Sequence, residues 1–141
     1  MNRKKGNEGG FRPKHSLGQN FLTDEALLEQ LVSLSGVGKE DAVLEIGAGA
    51  GGMTRVLSER CREVVSIEVD GTLIPFLRVA LEKCSNVRLV HRDVMRLNLP
   101  EITQRLGPFH IVANIPYYLT TDLMQLLVTS SMPIQSISVM V

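Results

Sequence analysis

No stretch of the 141-residue chain approaches the roughly 18 uninterrupted apolar residues that a membrane-spanning helix needs. No apolar segment follows the charged, Gly-containing N-terminus either, so no secretory signal is read there and the expected location is the cytoplasm. Cysteine is scarce, and Cys61 and Cys84 belong to no CxxC or Cys/His cluster, so two reduced thiols without a metal or disulfide role are expected. His15, His91 and His110 lack the spacing of a ligand set, and no metal site is expected. Repeats and low-complexity tracts are absent. So is net charge, but the zero hides an asymmetry. Residues 1–20 carry Arg3, Lys4, Lys5, Arg12 and Lys14 against Glu8 alone, which makes that segment +4. The remaining ten basic and fourteen acidic residues leave the body at −4, short of the broad basic surface of a phosphate-binding protein. Any grip on nucleic acid is therefore expected from the basic lead-in or from elsewhere.

What is present is an ordinary globular composition, 44% hydrophobic and 21% charged, in a length suited to one hydrophobic core. Residues 1–15, with Gly6, Gly9, Gly10 and Pro13 and no apolar period, read as a flexible lead-in, and the domain is expected to occupy 16–141. Thr23 reads as the N-cap of a helix with Leu27, Leu28, Leu31 and Val32 on one face, ended by Gly36 and Gly38. Short apolar runs follow at Ala42 to Ile46, Val64 to Val69, Val87 to Val90, His110 to Ala113 and Ile137 to Val141. Between them lie helical stretches at Met53 to Arg60, Leu73 to Lys83, Pro100 to Leu106 and Thr121 to Ser130. Strand and crossover helix in alternation predict an α/β fold with a doubly wound parallel sheet, helices on both faces, and chemistry beyond the carboxyl ends of the strands. The chain stops at Val141 inside an apolar β-branched run, which reads as a domain truncated after its fifth strand, and the exposed edge of that strand is expected to invite self-association.

After the first predicted strand, Gly47, Gly49 and Gly52 fit G-x-G-x-x-G within Glu45 to Gly52. Glycines let a ligand approach the backbone, and the following helix N-terminus offers free N–H groups to an anion. A nicotinamide dehydrogenase would place its pyrophosphate there; an S-adenosylmethionine enzyme would place the methionine carboxylate and ribose there. Glu68 ends the second strand about 20 residues beyond the loop, the spacing at which a carboxylate accepts hydrogen bonds from ribose hydroxyls. Asp70 is the rival, and Glu68 is preferred. Asp93 follows the third strand, where it can accept an adenine amine or merely cap a turn.

The segment Asn114-Ile115-Pro116-Tyr117-Tyr118 follows the fourth strand. An Asn and a carbonyl at the proline can accept the two hydrogens of an exocyclic amine while an aromatic ring stacks on the base, so a planar amine is presented to a methyl donor. The dehydrogenase reading gives no reason for this cluster, and a DNA adenine methylase more often has Pro where Ile115 stands. Met53, Met95, Met124, Met132 and Met140 are read as core fillers.

Lys14 to Leu22 (KHSLGQNFL), the loop from Glu45 to Gly52, the acids Glu68 and Asp93, and Asn114 to Tyr118 together resemble the ribosomal RNA adenine N6,N6-dimethyltransferase family. The L-G-Q-N-F-L wording is similar to its small-subunit branch rather than to the large-subunit enzymes of macrolide resistance. The sequence departs at Ala48, where members often have Pro, and at the variable position of Tyr118. The resemblance implies a Rossmann-like class I methyltransferase fold and S-adenosyl-L-methionine as methyl donor. It also implies ribosomal RNA of the small-subunit precursor as partner. It implies that Asn20 and Leu22 close over the cofactor, Gly47 and Gly49 border it, Glu68 holds its ribose, Asp93 its adenine, and Asn114 touches cofactor and target. Pro116 and Tyr117 complete the catalytic cluster, with Tyr117 as stacking platform for a target swung out of its stack. The alternatives are a large-subunit enzyme of macrolide-resistance type and a noncatalytic assembly factor that kept the cofactor fold, and the 141 residues by themselves are expected to be inactive on RNA.

Overall fold

The computed structural model describes residues 24–140. The lead-in, Thr23, and the first part of the predicted domain, with Asn20 and Leu22, lie outside the described residues. Five strands form one sheet, β1 Ala42–Ile46, β2 Glu63–Glu68, β3 Val87–His91, β4 Phe109–Asn114 and β5 Ile134–Met140. All four pairings are parallel and the order is β3-β2-β1-β4-β5. The chain thus winds outward from β1 to β3, then returns to β1's other side with β4, and the reversal falls between β1 and β4. Alternating apolar side chains send Leu44, Ile67 and Ile111 into a core under α4 Leu99–Thr103 and α5 Thr120–Val128. Val43, Val64 and Val112 face the opposite way, under α1 Glu25–Ser35 and α2 Gly52–Arg60, while α3 Ile74–Ala80 packs through Leu77 on Ala48. No helix among the described residues is long and apolar enough to cross a membrane.

Local chemistry sets the element ends, and several differ from the sequence reading. The cap of α1 is Asp24, whose carboxylate accepts from the Ala26 and Leu27 N–H groups at 3.0 and 3.3 Å. Leu28 and Val32 are buried, but Leu27 is 38% exposed, because the stripe that faces α2 is narrower than the four leucine and valine positions suggest. Helix α3 is shorter than expected: Leu81 leaves helical geometry and its carbonyl accepts the Cys84 N–H in a turn. Helix α5 stops at Val128, where the Thr129 and Ser130 hydroxyls donate to the Gln125 and Leu127 carbonyls and compete with the helix ladder. Met95 is 38% exposed in the turn after β3, so it is no core filler, unlike the buried Met53.

Strand β5 begins three residues earlier than its apolar run indicates, and the reason is a bulge. Phe109 pairs with Ile134 but His110 pairs with Ser136, leaving Gln135 as the extra residue. Ile134 and Ile137 can then lie on the same core-facing side, with Val139 beyond them. His110 spans the bulge: Nδ1 lies 2.6 Å from Ser136 Oγ and Nε2 3.4 Å from Asp41 Oδ2, at the end of the sheet remote from the glycine loop. Among the described residues β3 and β5 are the two edges.

Candidate active site

The carboxyl ends of β1, β2, β3 and β4 converge where the winding reverses. The loop after β1 puts three glycines at positive φ, Gly47 at 89°, Gly49 at 60° and Gly51 at 94°, conformations that side chains resist. Gly52, counted as the third glycine of the motif, is instead the first residue of α2, and Gly51 takes the constrained place at the helix N-terminus, against Leu77. The loop is bound to β2: Gly47 and Ala48 donate to the Ile67 carbonyl at 2.8 and 3.2 Å. Gly49 donates to Glu68 Oε1 at 2.8 Å and Asp70 N–H to Glu68 Oε2 at 2.9 Å, so both oxygens of this buried carboxylate are held by backbone. Glu68, rather than Asp70, lines the cleft; Asp70 Oδ1 accepts from the Thr72 N–H and hydroxyl and shapes the turn into α3.

The cleft joins Gly47, Glu68, Val69, Asp93, Asn114 and Pro116. Asp93 does what a strand-end acid commonly does: its Oδ1 accepts the Met95 N–H at 3.0 Å and caps a short 3-10 turn. It also stands in the cleft wall. Asn114 is the last residue of β4, and a Cβ on Gly47 would come 2.1 Å from its carbonyl oxygen, so the glycine loop and the end of β4 are in direct backbone contact. The Pro116 carbonyl accepts the Leu119 N–H at 3.0 Å, which uses one of its two lone pairs and folds Tyr117–Leu119 into a 3-10 turn. That turn pushes the rings outward. Tyr117 is 77% exposed and meets Tyr118 edge to face, with centroids 6.2 Å apart. Asn20 and Leu22 lie outside the described residues; Gly47, Glu68, Asp93, Asn114 and Pro116 meet at one cleft, Gly49 lines a second hollow that shares Gly47 and Asn114, and Tyr117 is exposed in the turn after Pro116.

Glu45 is the residue that sequence reasoning passed over. It is 1% exposed in the middle of β1, where Thr54 Oγ1 of α2 and Ser66 Oγ of β2 donate to its Oε1 at 2.5 and 2.6 Å. Burial raises its pKa to about 7, the two hydroxyl donors pull it down, and the neighbouring Glu68 charge adds to the rise. It ties the first turn of α2 to both strands directly beneath the glycine loop. The available signal was an acid inside an otherwise apolar, doubly covered strand, a place where an unpaired carboxylate is strongly disfavoured.

A strand order that reverses beside β1, with a glycine loop and a strand-end carboxylate at the reversal, defines the Rossmann-like class to which the solved methyltransferases below belong. The profile of the family described as ribosomal RNA adenine dimethylase matches residues 10–141, and the chain belongs to that family. Among curated relatives, "Ribosomal RNA small subunit methyltransferase A" of Clostridium botulinum (strain Okra / Type B1) is 41% identical over 135 residues, 96% of this chain and 49% of that one. Its namesake from Shouchella clausii (strain KSM-K16) is 40% identical over 94% of this chain and 46% of that one. The chain spans about half the length of the curated relatives it matches. The 23S rRNA methyltransferase ErmE superposes with a TM-score of 0.74 at 29% identity, covering 85% of this chain and 47% of that one. A dimethyladenosine transferase from Plasmodium falciparum shares the fold, with a TM-score of 0.67 at 24% identity over 79% of this chain and 39% of that one.

Proposed function

We propose that the chain carries the cofactor and target-base site of an S-adenosylmethionine-dependent enzyme that dimethylates adenine N6 in small-subunit ribosomal RNA. The contact between Gly47 and the Asn114 carbonyl is the observation that carries this reading, because it brings a glycine loop and an amide-proline-aromatic cluster into one cleft. The residues present fit the cofactor: backbone at Gly47 and Gly49 has no side chain to bar a close ligand, and Glu68 stands at the cleft with its carboxylate already oriented by two N–H groups. S-adenosylmethionine would supply a methyl group on a sulfonium, already activated for attack.

The protein's part is then positioning. Gly47 and Gly49 would border the cofactor, Glu68 would accept from its ribose hydroxyls and Asp93 from its adenine amine, and Asn20 and Leu22 would close over it. The lone pair of adenine N6 is delocalised into the ring; hydrogen bonds from its two hydrogens to the Asn114 side chain and a carbonyl beside Pro116 localise it toward the methyl. Tyr117, exposed in the turn after Pro116, stacks on a target base swung out of its helix. After the first transfer one N6 hydrogen remains, so the second round proceeds with one bond fewer.

Calorimetric titration of the full chain with S-adenosylmethionine and, separately, with NAD tests this, repeated on Glu68→Ala with a circular dichroism check of folding. Selective S-adenosylmethionine binding, lost in the folded variant, is expected. Binding of NAD in its place overturns the reading.

A further inference from the structure

The body of the protein is acidic, yet its cations are unevenly placed. Arg60 pairs with Glu29 and Arg62 with Glu63. Arg55 and Lys83 share a groove with Glu59 and Glu82. Arg88, which lines a groove with Arg62 and Glu63, stands instead in a row with Arg92 and Arg96. The three recur every fourth residue along β3 and the turn after it, all are exposed, and β3 is an edge of the sheet. Among the described residues no carboxylate lies within ion-pair distance of Arg88 or Arg92, and Arg96, 87% exposed, is a loose 3.9 Å from Asp93. Strand rise separates Arg88 from Arg92 by about 13 Å. Arg92 is itself part of the cleft wall with Asn114 and Pro116.

We infer that Arg88, Arg92 and Arg96 form a track for RNA phosphates along the β3 edge, which leads the backbone flanking the target base to the cleft. The inference rests on the proposed function and assigns the side from which RNA enters. Guanidinium groups spaced along an open edge suit a chain of phosphates, since each replaces condensed counterions without reading sequence. The same charges also deter edge-to-edge strand pairing, a purely structural role with a different signature.

The test is binding of an RNA hairpin with unpaired loop adenines to the full chain as a function of KCl. The unaltered protein is compared with Arg88→Gln/Arg96→Gln and with Lys39→Gln as a control remote from the cleft. The double variant is expected to bind about tenfold more weakly at moderate salt, with the slope of log affinity against log salt reduced by about 0.7 to 0.9 for each arginine removed. S-adenosylmethionine titration is expected to be unaltered. An unchanged slope, an equal loss in Lys39→Gln, no binding by the unaltered chain, or a gain in self-association with RNA affinity intact would each overturn the track. A failed cofactor titration with a normal salt slope would instead count against the proposed function alone.

Discussion

The two sides of the winding reversal are built differently. On the β1–β2 side the polar groups are carboxylates, Glu45 and Glu68, each 1% exposed and held by hydroxyl or backbone donors. On the β4 side they are an amide and two phenols, and Tyr117 and Tyr118 stand mostly in solvent. Among the described residues, one side has its polar groups buried and held, and the other leaves two rings largely exposed. That division suits a small cofactor that needs a preorganised seat and a large polymer that supplies its own contacts. It also separates the expected effects of substitution into those on folding and those on RNA.

The largest effect is expected where the two sides touch. Gly47→Ala places a Cβ 2.1 Å from the Asn114 carbonyl at a φ of 89°, so strain and collision combine. A loss of at least about 3 kcal/mol in stability and of measurable cofactor binding is expected, checked by urea denaturation and calorimetry. A variant as stable as the parent would mean the sides are not in contact.

Next comes the pH dependence of the β1–β2 side. Glu45 holds its proton to about pH 7 in the fold, against 4.5 when unburied, so across that window the folded protein keeps a proton that the unfolded chain has released. Its contribution therefore falls as pH rises from about 4.5 to 7 and is constant above, a change on the order of 3 kcal/mol. Glu45→Gln cannot lose the proton. Subtracting its stability-against-pH curve from the parent's is expected to leave that downward slope, and parallel curves would show Glu45 ionised throughout.

The smallest effect on the fold, and a selective one on function, is expected from Tyr117→Ala. Its ring is 77% exposed, so stability is expected to move by less than about 0.5 kcal/mol. Affinity for an RNA hairpin with unpaired loop adenines is expected to fall about tenfold to a hundredfold through lost base stacking, with cofactor affinity unchanged and Tyr117→Phe restoring it. Equal loss of cofactor binding would place the ring on the other side of the division.

Much of this was legible in the sequence because the signals were local. β-branched runs located the five strands, glycines marked the loop, and the spacing to Glu68 rather than Asp70 gave the cleft acid. What escaped depends on partners distant in sequence. Glu45 looked like one more strand residue until Thr54 and Ser66 were seen to hold it. Gly51 rather than Gly52 takes the strained φ because α2 starts one residue earlier than its apolar pattern implies. The start of β5 was obscured by Gln135 and Ser136, whose polarity broke the run, and Met95 gave no hint of its exposure because a short turn has no period to read.

The bulge at Gln135 absorbs one residue of length in an edge strand. Were Gln135 removed, Ile134 and Ser136 would follow one another opposite Phe109 and His110, and Ile137 and Val139 would keep the side they share with Ile111 and Ala113. Beyond Ser136 the pairing is regular, and an insertion or deletion there would turn over all later residues at once. The strand is thus open to drift in count at one point and closed to it beyond.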